Sequence, residues 1–265
     1  MVAVMLLLSN ISAVAGGEDE VSSSDRSIGT NITTRALSIG IGATNQLDTY
    51  LSPEEYKGAD LSFMSVVEYE KEGRLWSREM INEGHLLKAD NRSGNGDMLG
   101  GGYRFAYSWL RAFNVGVEGL KVKAGVMASL DLGFLYSTRN GNNPVQIKAH
   151  VDVAPAVRAS YDFRLFRKTM TARWAADVPL LGVMFSPNYG QSYYEISSKG
   201  NYDHNVVPTT IGCCPSLHSL LSVDIPMGGG AMRVGYLAEV NQSNVNSLKY
   251  HSYNNAFVIG YVKTL

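Results

Sequence analysis

The 265-residue chain has only two cysteines, Cys213 and Cys214, adjacent in sequence. Neighbouring thiols cannot build a disulfide framework, and no C-x-x-C spacing is present to hold a metal. An excess of charge is also missing. The 23 basic and 24 acidic residues nearly cancel, and the basic ones are scattered, which excludes an electrostatic footprint for nucleic acid. No continuous apolar run after the N-terminus approaches the ~18 residues of a membrane-spanning helix. Internal repeats and interdomain linkers are absent as well. "YGQSYYE" lacks the G-x-S-x-G spacing of a hydrolase elbow. "DNRSGNGD" (Asp90–Asp97) sets Arg92 where a calcium loop needs a ligand, and reads as a glycine-rich turn. No catalytic residue, metal site or cofactor is expected.

Tyrosine (15 against 8 phenylalanines) and glycine (27) are abundant. Aromatic residues suit a pleated surface and glycine serves tight turns, so the composition favours strands. At the N-terminus "VAVMLLL" (Val2–Leu8) is a short apolar core, and Ala13-Val14-Ala15 fits the small-x-small pattern cut by signal peptidase. No Lys or Arg precedes that core, which is one element short of the full pattern. The expected organisation is a cleaved signal over 1–15, a polar, serine-rich flexible segment over 16–32, and one domain over 33–265.

Within that domain apolar residues recur at every second position. Tyr103, Phe105, Tyr107 and Trp109 alternate with Arg104, Ala106 and Ser108; Leu120 through Tyr136 and Val145 through Val153 do the same, as do Phe257, Ile259 and Tyr261. A helix would space them at i, i+3, i+4 and i+7. Turn signals such as "RNGNN" and "PMGGG" separate the strands. A soluble sandwich or lipocalin-type barrel also alternates, but two features favour a bilayer. The face opposite the rings mixes small and charged groups, as a crowded lumen does. Gly102–Phe113 and Leu120–Tyr136 have the ~9–11 residues or more that a tilted membrane strand requires. About 250 mature residues then make about ten to twelve strands. The expectation is an all-β fold: a single transmembrane antiparallel up-and-down β-barrel of outer-membrane type, in the outer membrane of a Gram-negative cell. Its partners would be outer-membrane lipid and, through the C-terminal strand, the barrel-insertion machinery. On this reading Asn241–Asn254 and Pro187–Ser216 are external loops and Pro226–Gly230 is a periplasmic turn.

"GFLYSTRNGNNP" (Gly133–Pro144), "PLLGVMFSPNYGQSYYEI" (Pro179–Ile196) and "GNYDHNVVPTT" (Gly200–Thr210) resemble an uncharacterised family of predicted outer-membrane barrels, domain of unknown function 3316. So do "DTYLSPEEY" (Asp48–Tyr56) and "VNSLKYHSY" (Val245–Tyr253). The resemblance runs from about Asp48 to the end, where Leu265 stands in place of an expected Phe. It implies the barrel and the compartment, and no catalytic or binding residue.

The candidate functional residues follow from the alternation. Gln146, Lys148, His150 and Asp152 form a polar row on one face of a strand, and with Arg104 they are expected to line the lumen, satisfying one another or binding a small solute. Tyr189, Tyr193, Tyr194 and Tyr202 fall in the long external loop, where they could contact a glycan, plug the lumen or pack the rim. The leading function is a non-enzymatic pore or binding barrel for small solutes or lipid-derived molecules. The alternatives are a surface-interaction protein acting through 187–216 and a membrane-embedded lipid hydrolase using His251. The last is weakened because Ser252 is adjacent to His251, so base and nucleophile would point to opposite sides of a strand.

Overall fold

The computed structural model describes residues 30–141 and 143–265. The expected signal and nearly all of the expected flexible segment lie outside the described residues. Twelve strands follow in order: β1 Asn31–Asp48, β2 Ser52–Lys71, β3 Trp76–Asn91, β4 Asp97–Phe113, β5 Leu120–Ser137, β6 Val145–Leu165, β7 Lys168–Asp177, β8 Leu181–Phe185, β9 Val206–Thr210, β10 Ser216–Met227, β11 Gly230–Val245 and β12 Leu248–Thr264. One short helix, α1 (Tyr193–Ser197), lies between β8 and β9. Each strand pairs antiparallel with its neighbours, and β12 returns to β1 over Thr34–Asp48, so the sheet closes.

The closed wall has ten staves, because two of them are broken. Ala156 faces Asp177 at the end of β7, and Val153 faces Leu181 at the start of β8. Four steps therefore oppose three, a one-residue bulge at Val178–Leu180. Pro179 sits in that bulge, where no ladder donor is required of it. The next stave breaks beside it, between β9 and β10, where Ile211–Pro215 form a turn. Cys213 accepts the Asn244 N–H at 2.9 Å there, which ties the turn to β11. Neither cysteine is in a disulfide.

Side-chain direction answers the question of core or bilayer. Leu130, Leu132 and Val151 point outward and are 36, 46 and 49% exposed, whereas Arg104, Ala106, Ser108 and Ser129 are buried in the lumen. Tyr103, Phe105, Tyr107 and Trp109 lie on the outer face, as the alternation required. Outward charges bound this apolar surface: Arg78 and Lys88 on β3 are ten residues apart, and Lys57 and Lys71, Asp97 and Arg111, Lys249 and Lys263 are fourteen apart on β2, β4 and β12. At ~3.3 Å per residue and a tilt of ~40°, the band is ~25–35 Å high. Tyr69, Trp109 and Tyr261 each stand two residues inside such a charge, at the end of the barrel that carries both strand termini.

Three polar side chains on the outer face find partners on the same face. Tyr103 donates its hydroxyl to Asn82 Oδ1 at 2.6 Å, Tyr236 donates to Asn255 Oδ1 at 3.0 Å, and the Trp174 indole N–H donates to Ser219 Oγ at 3.1 Å.

Three expectations need correction. The barrel wall begins at Asn31, two residues before the expected boundary. Asn241–Asn254 is no loop: β11 and β12 run through it and turn only at Asn246–Ser247, both at positive φ. The segment 187–216 is less open than expected, because β9 and the first residue of β10 fall within it. The turn at Gly228–Gly229 is where Pro226–Gly230 placed it.

Candidate functional site

The lumen is crossed by charge at three levels. Nearest the termini, Arg158 on β6 meets Glu79 on β3 with two nitrogens (Nη2–Oε1 2.6 Å, Nε–Oε1 2.9 Å). Lys123 pairs with Glu68 and Glu70. Asp224 holds Arg233 at 2.7 Å and Arg173 at 2.8 Å. At mid-height Arg104 on β4 reaches Asp177 on β7 at 2.6 Å, and His218 on β10 takes the same carboxylate oxygen at 2.8 Å. At the loop end Lys148 on β6 pairs with Asp48 on β1 at 2.6 Å. β6 is five steps from β1 around the ten-staved wall, with four staves between them on either side, so this bridge joins opposite sides of the barrel. The Lys148 ammonium also sits 3.8 Å from the centroid of the Tyr250 ring.

Two cavities remain between these levels. The one nearer the termini has about 110 Å³ and the one nearer the loops about 150 Å³. Arg104 and His218 line both, and Asp177, which binds the two of them, lines the one nearer the termini. The loop-side cavity is bounded by Lys148, His150 and Asp152 on β6, by Asp131, by His85 and by Glu239.

Above it the mouth of the barrel is roofed by the segment Ser186–Asn205, none of whose residues lines the cavity itself. Ser192 caps α1 and accepts the Glu195 N–H, while the Glu195 carboxylate accepts the Ser192 N–H at 2.8 Å, a reciprocal capping box. The cap fixes Tyr193, whose hydroxyl donates to Gln146 Oε1 at 2.9 Å and accepts the Ile147 N–H at 2.8 Å. From the opposite rim Tyr50 donates to the Gln191 carbonyl at 3.0 Å, and its ring meets that of Tyr193 edge-on at 5.8 Å. Burial pushes both phenols up to about 12, so both keep their protons. The roof is thus tied to both sides of the mouth.

All five expected lumen residues face inward. Arg104, Gln146 and Lys148 have specific partners, while His150 and Asp152 line the cavity. Of the four loop tyrosines, Tyr193 enters the roof and Tyr189, Tyr194 and Tyr202 stay exposed. His251, expected at a loop edge, is instead on β12, stacked on Tyr253 at 4.5 Å, while Ser252 is buried on the lumen side. The residues missed from sequence are the cross-lumen partners Asp48, Asp60, Glu79, Glu83, His85, Asp177, His218 and Glu239. Their positions in the same alternation were a usable signal: each sits at a lumen-phase position of its strand.

A closed antiparallel barrel with an apolar outer band and an occluded, ion-paired lumen is the class these observations define. Within it the chain belongs to the family described as protein of unknown function (DUF3316), whose model matches residues 1–265. No curated protein sequence matches the chain. Among solved structures it is similar to the outer membrane protease OmpT from Escherichia coli (TM-score 0.49, 7% identity, 89% of this chain and 97% of that one). It is also similar to the translocator domain of the autotransporter NalP from Neisseria meningitidis (0.39, 13%, 88% of each chain) and to Neisserial surface protein A (0.32, 12%, 86% and 95%). Likeness this distant transfers no property of those proteins.

Proposed function

We propose that this chain is a non-enzymatic outer-membrane barrel that holds a small polar solute in its loop-side cavity and does not form a standing pore. The outward apolar band and the self-satisfied polar groups on it support the membrane location, since unsatisfied polar groups facing hydrocarbon are costly. The single observation that carries the reading is the ion-paired cluster of Arg104, Asp177 and His218, which sits across the lumen where the two cavities meet. On this reading the cluster must open before a file of water can pass. In planar bilayers the wild-type barrel should show no steady conductance. The double substitution Arg104→Ala, Asp177→Ala removes both charges together and should produce channel events. Steady conductance of the wild type at the level of the double variant would overturn the reading.

A second reading rests on Tyr189, Tyr194 and Tyr202, whose rings are exposed on the roof and suit contact with a glycan or another surface. Replacing all three by serine should abolish surface binding and leave the conductance of the barrel as it was.

A further inference from the structure

His85 on β3 stands at the edge of the loop-side cavity with a carboxylate on every side. Its Nε2 is 3.4 Å from Glu83 Oε1 on the same strand and 3.2 Å from Glu239 Oε2, which reaches across from β11. Its Nδ1 is 3.1 Å from Asp60 on β2. The three potential ligand atoms of Glu83, His85 and Glu239 all lie within 4.8 Å of one another. We propose that these three side chains bind a first-row divalent transition ion, with Asp60 as the outer carboxylate that orients the imidazole.

Four observations lead there. First, one ring nitrogen cannot serve two carboxylates as a hydrogen-bond donor, and Glu83 Oε1, on a side chain only 2% exposed, is enclosed without a hydrogen-bond partner. A buried carboxylate oxygen left in that state is costly unless a cation completes it. Second, the spacing suits an ion. Ligands at ~2.0–2.2 Å from a tetrahedral or octahedral centre lie ~3.0–3.5 Å apart, which is where Nε2 stands from both glutamates. Third, Asp60 on Nδ1 reproduces the carboxylate–histidine–metal arrangement, which fixes the ring with Nε2 turned to the metal. Fourth, charge is out of balance. Asp60, Glu83, Glu239, Asp131 and Asp177 surround this level with Arg104 as the guanidinium among them, while Lys148, which also borders the cavity beside the imidazoles of His85, His150 and His218, is already paired with Asp48.

The mixed imidazole and carboxylate set selects the ion class. Calcium and magnesium prefer oxygen alone, and softer ions prefer thiolate. His85 and Glu239 both border the cavity, which keeps further coordination positions open to water or a solute. The site stands independently of whether the barrel conducts.

The test uses the full chain in detergent, stripped with chelator and titrated with Zn²⁺ by calorimetry and with Co²⁺ by visible absorption. One equivalent should bind, with Co²⁺ bands of a protein-ligated ion. His85→Ala and Glu239→Gln should lose that equivalent, and Asp60→Asn, which leaves all three ligands in place, should weaken it ~10–100-fold. His204→Ala and His251→Ala, outside the lumen, should bind as wild type. Folding of each variant is checked by its β-sheet circular dichroism. Absence of stoichiometric binding in the folded wild type overturns the proposal. So does wild-type affinity in folded His85→Ala or Asp60→Asn, or Ca²⁺ binding as tight as Zn²⁺.

Discussion

Replacing Val151 by arginine tests the membrane reading at its centre. Val151 points outward from β6 and pairs with Leu130 on β5, which in turn pairs with Phe105. Phe105 stands eight residues from Asp97 and six from Arg111, so this row is near the middle of the apolar band. Val117, in the turn between β4 and β5, is 55% exposed against 49% for Val151, so the two sites differ in height and hardly in accessibility. In water both Val→Arg changes would stay within ~0.5 kcal/mol. In a bilayer Val151→Arg should cost ~2–4 kcal/mol and Val117→Arg, beyond the band, ~0–1. The gap of ~1–4 kcal/mol amounts to roughly five-fold to nearly a thousand-fold in the folding equilibrium. Reversible urea unfolding in phosphatidylcholine vesicles, followed by tryptophan fluorescence, measures both. Equal costs, or the larger cost at Val117, would refute the bilayer as the solvent of this face. A lumen position such as Ser129 would not serve as the comparison, because it is buried and arginine there would overpack the interior.

Three more outcomes are expected. Glu79→Leu strands the Arg158 guanidinium in the lumen and should cost ~3–5 kcal/mol, whereas adding Arg158→Met should return stability to within ~1 kcal/mol of wild type, both read from urea unfolding. Tyr193→Phe removes the hydrogen bonds to Gln146 and Ile147, worth ~1 kcal/mol each; amide exchange should quicken across 186–205 and remain unchanged in β1. The Ser192 N–H and hydroxyl bonds hold the Glu195 carboxyl below its ordinary value of about 4.5. A lowered folded pKa means the cap is at full strength above that value and weakens as pH falls through the lowered one. Protection of the α1 amides, taken relative to intrinsic exchange at each pH, should therefore fall on acidification below about 4.5, and Ser192→Ala should flatten that dependence.

The wall of the barrel was legible where the chain crosses the apolar band, because there outward and inward residues differ in polarity at every step. β4, β5, β6 and the end of β12 show it. The same rule explains the miss over Asn241–Asn254. Beyond the band both faces of a strand meet polar surroundings, so Asn241, Gln242, Ser243 and Asn244 alternate in direction without alternating in character, and a strand looks like a loop. The break at Ile211–Pro215 hid β9 by a different route, since its turn residues punctuate a stave that continues. Among site residues, the β6 row was found because four polar residues share one strand. Its partners were not, because Lys148 and Asp48 are 100 positions apart and meet only when the cylinder closes. Pairing across a lumen leaves no local pattern in either strand.

The ion pairs across the lumen differ in how firmly they are held, and under the proposed function that difference bears on which of them would open. A buried pair adds little net stability over apolar packing, since desolvation offsets much of the attraction. What it supplies is a closure that water or a competing ion can replace. Arg158 is poorly suited to opening: two of its nitrogens hold Glu79, and its Nη1 also donates to the Val157 and Ala176 carbonyls at 2.9 and 3.1 Å. Arg104 is held less completely. It has one close bond to Asp177, which His218 shares, and its Nε is buried without a hydrogen-bond partner, with Asp131 3.6 Å away. Swinging the guanidinium from Asp177 toward Asp131 would exchange one carboxylate for another and satisfy the idle nitrogen, at far less cost than exposing a lone charge. Under the proposed function the Arg104–Asp177 pair at mid-height is therefore the one to open, and the Glu79–Arg158 brace beneath it is the one to stay closed.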